Sequence, residues 1–220
     1  MGPGTRARLA AVSLVVLAGA AVGWWSMRGH RNVSAPFEPP SRITETGLLC
    51  PWRDPEADLA SFFPTANRRD TRTLILSGRR VELARELGRQ PTADENALQV
   101  HCALHDNHPV GTILTRRVKG EHGGIELVLA VTPEGRVRGV RIQRHREPLE
   151  VAGVLEDAGW LNRFEGRHCH SDWDTAGDCA GLPAGARSSA QAVVDGIRSL
   201  LILLAAGERS ARANEHHDHP

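Results

Sequence analysis

Tyrosine is missing from these 220 residues, and Lys119 is the only lysine among 27 basic residues. Aromatic residues make up 4% of the chain, and the formal net charge is +1. A balance this close to neutral sets up no global field, which argues against nucleic acid as a partner. The arginine excess reads as codon composition rather than as a phosphate-binding signal. No P-loop, Ser-His-Asp order or paired carboxylates stand out, so a hydrolase reading has no support and no catalytic residue is assigned. At this length the chain has room for one ordinary domain with appendages.

Charge is also absent from Leu9 to Met27, between Arg8 and Arg28. As a helix this run spans about 28 Å, close to the thickness of a bilayer's hydrocarbon core. Trp24 and Trp25 fall where an interfacial aromatic belt belongs. The expectation is a single N-terminal transmembrane helix within 1–29. The rival reading is a removed signal peptide cut at Ala18-Gly19-Ala20, but the apolar run continues past that site. Arg6 and Arg8 oppose Arg28 and Arg31, so counting positive charges barely decides orientation. Residues 30–48, with Pro36, Pro39 and Pro40, read as an extended linker. The four cysteines, Cys50, Cys102, Cys169 and Cys179, suit an exported domain in which thiols pair. Three connectivities are open, and Cys169 with Cys179, the closest in sequence, is the first pair to expect.

Beyond the linker the pattern is α+β. Residues 49–94 read as an N-terminal helical extension. It holds a short helix over Pro55 to Phe63, begun by Asp54, and a second over Arg79 to Leu87. Thr92-Ala93-Asp94-Glu95 is either a capping box or a turn. Leu98, Val100, Cys102 and Leu104 then alternate, and Asp106 to Pro109 turns the chain into Val110 to Val118. Ile125, Leu127, Leu129 and Val131 alternate next, and Pro133-Glu134-Gly135 leads into Val137 to Gln143. Strands joined this tightly must be antiparallel, which gives a β-meander with one buried face. Leu149 to Asn162 reads as one or two short helices, with Trp160, Leu161 and Phe164 in the core. From Ser188 to about Ala206, Val193, Ile197, Leu200, Leu201 and Leu204 form one apolar stripe, so that helix should lie across the sheet. The tail, 207–220, reads as disordered.

The segment Ala184-Gly185-Ala186-Arg187-Ser188-Ser189-Ala190-Gln191-Ala192-Val193 resembles, without a gap, the motif S-G-A-T-x-[ST]-S-x-A-V of periplasmic FMN-binding domains. Those domains occur in the flavoprotein subunits of Rnf- and Nqr-type respiratory complexes and in nitrous-oxide-reductase regulators. The resemblance continues elsewhere. Gly123 to Val131 is similar to the family's "G-x-I-x-L-L-V-G-I" strand, and Gly135 to Arg141 to "G-x-V-x-G-V-x-V". Arg144 to Pro148 resembles "x-H-x-E-[TP]", Trp160 to Arg167 resembles "W-L-x-Q-F-x-G-K", and Phe63 to Asn67 resembles an "FP-x-A" segment. The resemblance implies an FMN-binding-like domain over 95–206, outside the cytoplasmic membrane on its N-terminal helix. It also implies electron transfer with a redox or respiratory-complex partner.

In that family FMN phosphate is esterified to the motif's threonine, and here that position is Arg187. A guanidinium cannot act as the hydroxyl nucleophile, and Ser188, one residue on, points about 100° away on a helix. Covalent flavin by the family route is therefore not expected. The candidate cofactor-binding residues are His145, Glu147, Gly185, Ala186, Arg187, Ser188 and Ser189. A Gly-Ala pair opening a helix offers free N–H groups and the positive dipole end to a phosphate. Ser188 and Ser189 either add hydrogen bonds to it or serve as ordinary caps. Arg187 either grips a non-covalent FMN phosphate or fills the flavin's space. The alternatives are a flavin-free interaction or assembly module for a respiratory system, and a periplasmic metal-binding protein. For the last, His101 and His105 would combine with His168 or His170, although Cys102 points to the other face of its strand. His168-Cys169-His170 precedes Cys179, and His216, His217 and His219 add a weak site in the tail. No zinc spacing is cleanly matched, and no metal ligand is assigned.

Overall fold

A computed structural model describes residues 55–215. The expected anchor, the linker, Cys50 and the tail histidines lie outside the described residues. Helix α1 (Glu56–Phe62) starts from Pro55 at its cap, with Glu56 and Asp58 in the first turn, where the helix dipole favours acids. Strand β1 (Arg68–Ile75) follows, then a 3-10 turn at Ser77–Arg79 and helix α2 (Arg80–Leu87). Gly88 ends α2 in the left-handed conformation, φ 74. Thr92 to Glu95 does form the capping box, on a 3-10 turn at Ala93–Asn96. Four strands come next: β2 (Ala97–His105), β3 (His108–Lys119), β4 (Gly124–Val131) and β5 (Val137–Arg144). Helices α3 (Leu149–Leu155), α4 (Ala158–Asn162), α5 (Thr175–Asp178) and α6 (Ala184–Glu215) complete the chain.

The fold is α+β, with an open antiparallel sheet of five strands in the order β1-β2-β3-β4-β5, packed by helices. The β2–β3 turn is two residues long, with Asp106 and Asn107 both at positive φ, which matches the right-handed twist of the strands it joins. Several expectations need correction. The extension 49–94 is not purely helical, because β1 pairs with β2 along its whole length and belongs to the same sheet. Only Leu74 of β1 is buried, so no apolar alternation marks the strand. The tail is helical to Glu215 rather than disordered from 207 onward. Finally, Cys169 and Cys179 are free thiols. Their loop is closed by a bidentate ion pair instead, Arg167 to Asp178 at 2.6 and 2.7 Å. Arg167 also covers the Phe164 and Trp173 rings.

Helix α6 lies across one face of the sheet and contacts β1, β2, β3 and β4. Val193, Ile197, Leu200, Leu201 and Leu204 are all buried along its stripe. By length and composition Ala184–Ala213 could cross a membrane, yet 72% of its most apolar window is buried inside the domain, as in a core helix. The sheet has two buried faces rather than the one expected: the opposite face carries a smaller core, in which Leu59 and Phe63 meet Ala103, Ile113, Val128 and Ala130, so β4 is buried on both sides. Asp58 of α1 fixes that cover, accepting from Arg141 Nη1 at 2.7 Å and from Gln143 Nε2 at 2.6 Å.

Two features set the fit of α6. At Gly196 an added Cβ would stand 2.6 Å from Val118 Cγ1 and 2.9 Å from Leu127 Cδ2, so only glycine allows this approach. Beside it, Glu95 is 1% exposed and receives Arg89 at 2.6 and 2.8 Å, Arg116 at 2.6 Å and the Thr92 amide at 2.8 Å. Arg89 reaches on to Ser199 of α6 at 3.4 Å. Burial pushes the Glu95 carboxyl upward, but these donors together outweigh it and hold the group at about 2.

Gly196→Ala should lower stability by about 1–2 kcal/mol net, since overpacking outweighs alanine's gain in helix propensity; the denaturant midpoint measures it. Glu95→Ala should cost about 3–5 kcal/mol at neutral pH, because it strands two arginines. The folded pKa of Glu95 lies below its unfolded value of about 4.3. Its stabilisation is therefore complete above that value and fades as pH falls toward about 2. Melting curves across this range should show a smaller acid loss in the variant than in the wild type.

Candidate functional site

The first turn of α6 meets the β3–β4 turn and the segment after β5. Ser189 is fully buried; its Oγ accepts from the Glu121 N–H at 2.9 Å and donates to Glu147. The Glu147 side chain is itself fully buried. One of its oxygens accepts from the His122 N–H at 3.2 Å, and the other meets His122 Nδ1 at 2.9 Å. A Cβ on Gly120 would lie 2.1 Å from Glu147 Oε1, so the carboxylate fills the space under that turn. Burial pushes the Glu147 carboxyl up, but the His122 side chain, its amide and the Ser189 hydroxyl together hold it below the usual value.

Of the expected cofactor residues, Glu147 and Ser189 are brought into direct contact. His145 stands beside them: its Nδ1 accepts from the Glu147 N–H at 3.2 Å, while its Nε2 turns to Glu156 at 3.1 Å. Ala186 is buried, and its amide bonds the Pro183 carbonyl at 2.9 Å. Gly185 and Ser188 are exposed. Arg187 folds back on the preceding loop, donating from Nε to the Leu182 carbonyl at 3.0 Å. Sequence reasoning missed His122 and Glu121, whose turn looks like a simple chain break until Glu147 is seen beneath it. The His122–Glu147 pair has the look of a catalytic dyad. Ser189, however, donates to the carboxylate and not to the imidazole, so no nucleophile is activated.

These residues do not fit a flavin phosphate. The attachment hydroxyl is replaced by Arg187, and the buried Ser189 hydroxyl is already used as both donor and acceptor. A phosphate placed there would meet the buried charge of Glu147.

A cleft lies at the other end of the sheet. Lys119 and Gly124 pair at the end nearest the Glu147 cluster, and Thr112 and Val131 at the far end. A cleft of about 850 Å³ opens there among Thr112, Cys102, Leu201, Leu204 and His168. His168 and His170 border it, whereas His101 bonds Thr71 Oγ1 at 3.1 Å and lies on the opposite face of β2 from Cys102. The expected combination of His101 and His105 with His168 or His170 is thus not assembled. Among the described residues no group of three or more His, Cys, Asp or Glu side chains is placed to hold a metal.

Comparison with protein-family models and with curated proteins finds no match to this chain.

Glu147→Gln should flatten the acid limb of the stability curve. The carboxylate's contribution is present above the unfolded glutamate pKa, about 4.3, and is lost as pH falls through its depressed folded value. Unfolding midpoints of variant and wild type should differ most near neutral pH and converge in acid. Equal midpoints at neutral pH would show that the cluster adds no stability.

Proposed function

We propose that this chain is a flavin-free accessory module of a membrane-bound respiratory electron-transfer system. It uses the scaffold of an FMN-binding domain and is held outside the cytoplasmic membrane by its N-terminal segment. The motif resemblance supports the scaffold, and the antiparallel sheet crossed by the motif-bearing helix is consistent with it. The observation that carries the loss of flavin is the buried Glu147 carboxylate on Ser189, within the turn where a phosphate would sit. Arg187, turned onto Leu182, is the second departure in the same turn. The membrane and the respiratory partner rest on the uncharged Leu9–Met27 run and on the family's setting. On this reading the protein's work is assembly or positioning, with no redox step of its own.

The purified full chain, incubated with FMN and desalted, should retain no visible flavin absorbance. Arg187→Thr, co-expressed with a flavin transferase, should remain unflavinylated, because the buried acid persists when the hydroxyl is restored. A yellow chromophore carried by either protein would reject the flavin-free reading.

A further inference from the structure

Among the described residues strand β1 is an edge strand with β2 as its only neighbour, and its pairing runs without a bulge from Arg68 to Ile75. The Leu76 amide bonds the Asn96 carbonyl at 2.8 Å, in the same register as the pairs of β1. In an antiparallel ladder such bonds recur at every second residue. Arg72 and Leu74 therefore spend their amide groups on β2, and Thr71, Thr73 and Ile75 point theirs outward. Among the described residues no backbone bond outside the sheet takes the Thr71 or Thr73 amide. Thr71, Thr73 and Ile75 are exposed, Ile75 at 65%. An open edge of this kind is a template for another strand unless its charges forbid the pairing.

The charges here select one pairing. Leu74 belongs to the α6-side core, and Asp70 and Arg72 share its face of β1. Arg72 pairs with Glu208 of α6 and keeps the rest of its guanidinium for a second acceptor, while Asp70 has no ion pair among the described residues. With the two-fold axis at Thr71, an antiparallel second copy sets Asp70 opposite Arg72 twice. Arg69 then faces Thr73, and Arg68 faces Leu74. Centring the axis on Asp70 opposes two aspartates and sets Arg68 against Arg72. Centring it on Arg72 opposes two arginines; centring it on Arg69 sets Arg68 opposite Asp70 twice but opposes two arginines at its centre, so only the Thr71 register gains two opposite-charge contacts with no like-charge pair. Centring it on Thr73 brings no opposite charges together. Like charges directly opposite are destabilising and opposite charges favourable, so the sequence both permits and registers self-pairing.

The geometry points to the β1 edge as a homodimer interface, paired antiparallel about Thr71 and held in register by two reciprocal Asp70–Arg72 contacts. This inference is independent of the flavin-free reading. The dimer joins two sheets into one and keeps both α6 helices on the same side. An opposed Thr71 pair would place its Cα atoms about 5.5 Å apart, within disulfide range.

The full chain, purified in detergent, should show the mass of a dimer. Asp70→Arg should halve that mass without altering the circular dichroism spectrum, and the charge-swapped double variant Asp70→Arg, Arg72→Asp should restore it. Under mild oxidation Thr71→Cys should give a covalent dimer on non-reducing gels, and Thr73→Cys, facing Arg69, should not. A monomeric wild type would leave the edge to a foreign strand or to none and overturn the proposal. A dimer indifferent to Asp70→Arg would do the same, and a double variant that stays monomeric would overturn the register.

Discussion

A sheet with apolar side chains on both faces cannot stay in solution uncovered, and one helix does most of the covering here. Helix α6 runs 32 residues and buries its stripe from Ala186 to Ala206 against the strands. How closely it approaches is decided at Gly196, where the Val118 and Leu127 side chains occupy the space of a side chain. Its position fixes the rest of the layout. Its first turn fastens the β3–β4 turn through Ser189, and its middle receives Arg89 through Ser199. Arg198 donates to the carbonyls of Glu86 and Leu87 at 3.0 and 3.1 Å, satisfying the open end of α2. Further on, Glu208 reaches the edge strand through Arg72, and Arg209 binds Glu82 and Glu86.

The polar interior follows one rule. Asp58, Glu95, Glu126 and Asp178 are buried acids, and each is met by arginine from another element or strand. Arg117 and Arg144 flank Glu126 from the strands on either side, making a cross-strand ladder. The arginine excess that reads in sequence as codon composition thus has structural employment. A planar guanidinium holds a carboxylate with two parallel bonds and keeps its charge when partly buried, whereas a lysine is a compact, strongly hydrated point charge. Lys119, the sole lysine, is exposed. Glu147 departs from the rule. Its partners are an imidazole, an amide and a hydroxyl, so its environment is less cationic than those of the other four.

What the sequence made legible was what periodicity writes plainly. The apolar alternation of β2 to β5 marks the residues that pack on α6, and the stripe of α6 repeats at helical spacing for the same reason; the second buried face, with Ala103, Ile113, Val128 and Ala130 under α1, was not foreseen. Trp160, Leu161 and Phe164 were recognisable as core residues because large apolar groups in a polar stretch have few other places to go. Strand β1 was not legible: Arg68, Arg69, Asp70 and Arg72 look like a solvated loop, and its strand character comes from pairing with β2. The far end of α6 was hidden by a polar tail whose arginines and Glu208 reach other elements. Within the candidate site, the motifs pointed to Glu147 and Ser189 as flavin contacts, not to a contact with each other. The β3–β4 turn was not legible, because the contacts of Glu121 and His122 span long sequence separations.

The motif at the start of α6 therefore has two explanations that differ in what they require of each residue. A phosphate site needs open amides and a free hydroxyl. Helix docking needs small or apolar residues at Ala186, Ser189, Ala190, Val193 and Val194, and these are the buried positions. Gly185, Arg187 and Ser188, where ligand binding would make its demands, are exposed. The departures fall on both sides, at exposed Ala184 and Arg187 and at buried Ala190, while buried Ala186, Ser189 and Val193 match the motif. A helix start built in this way keeps its place on the sheet with no flavin present, since the Ser189–Glu121 and Ser189–Glu147 bonds already satisfy the groups a phosphate would otherwise serve. On the flavin-free reading proposed above, resemblance and function are then compatible, because Ala186, Ser189 and Val193 match the motif at positions that folding itself needs.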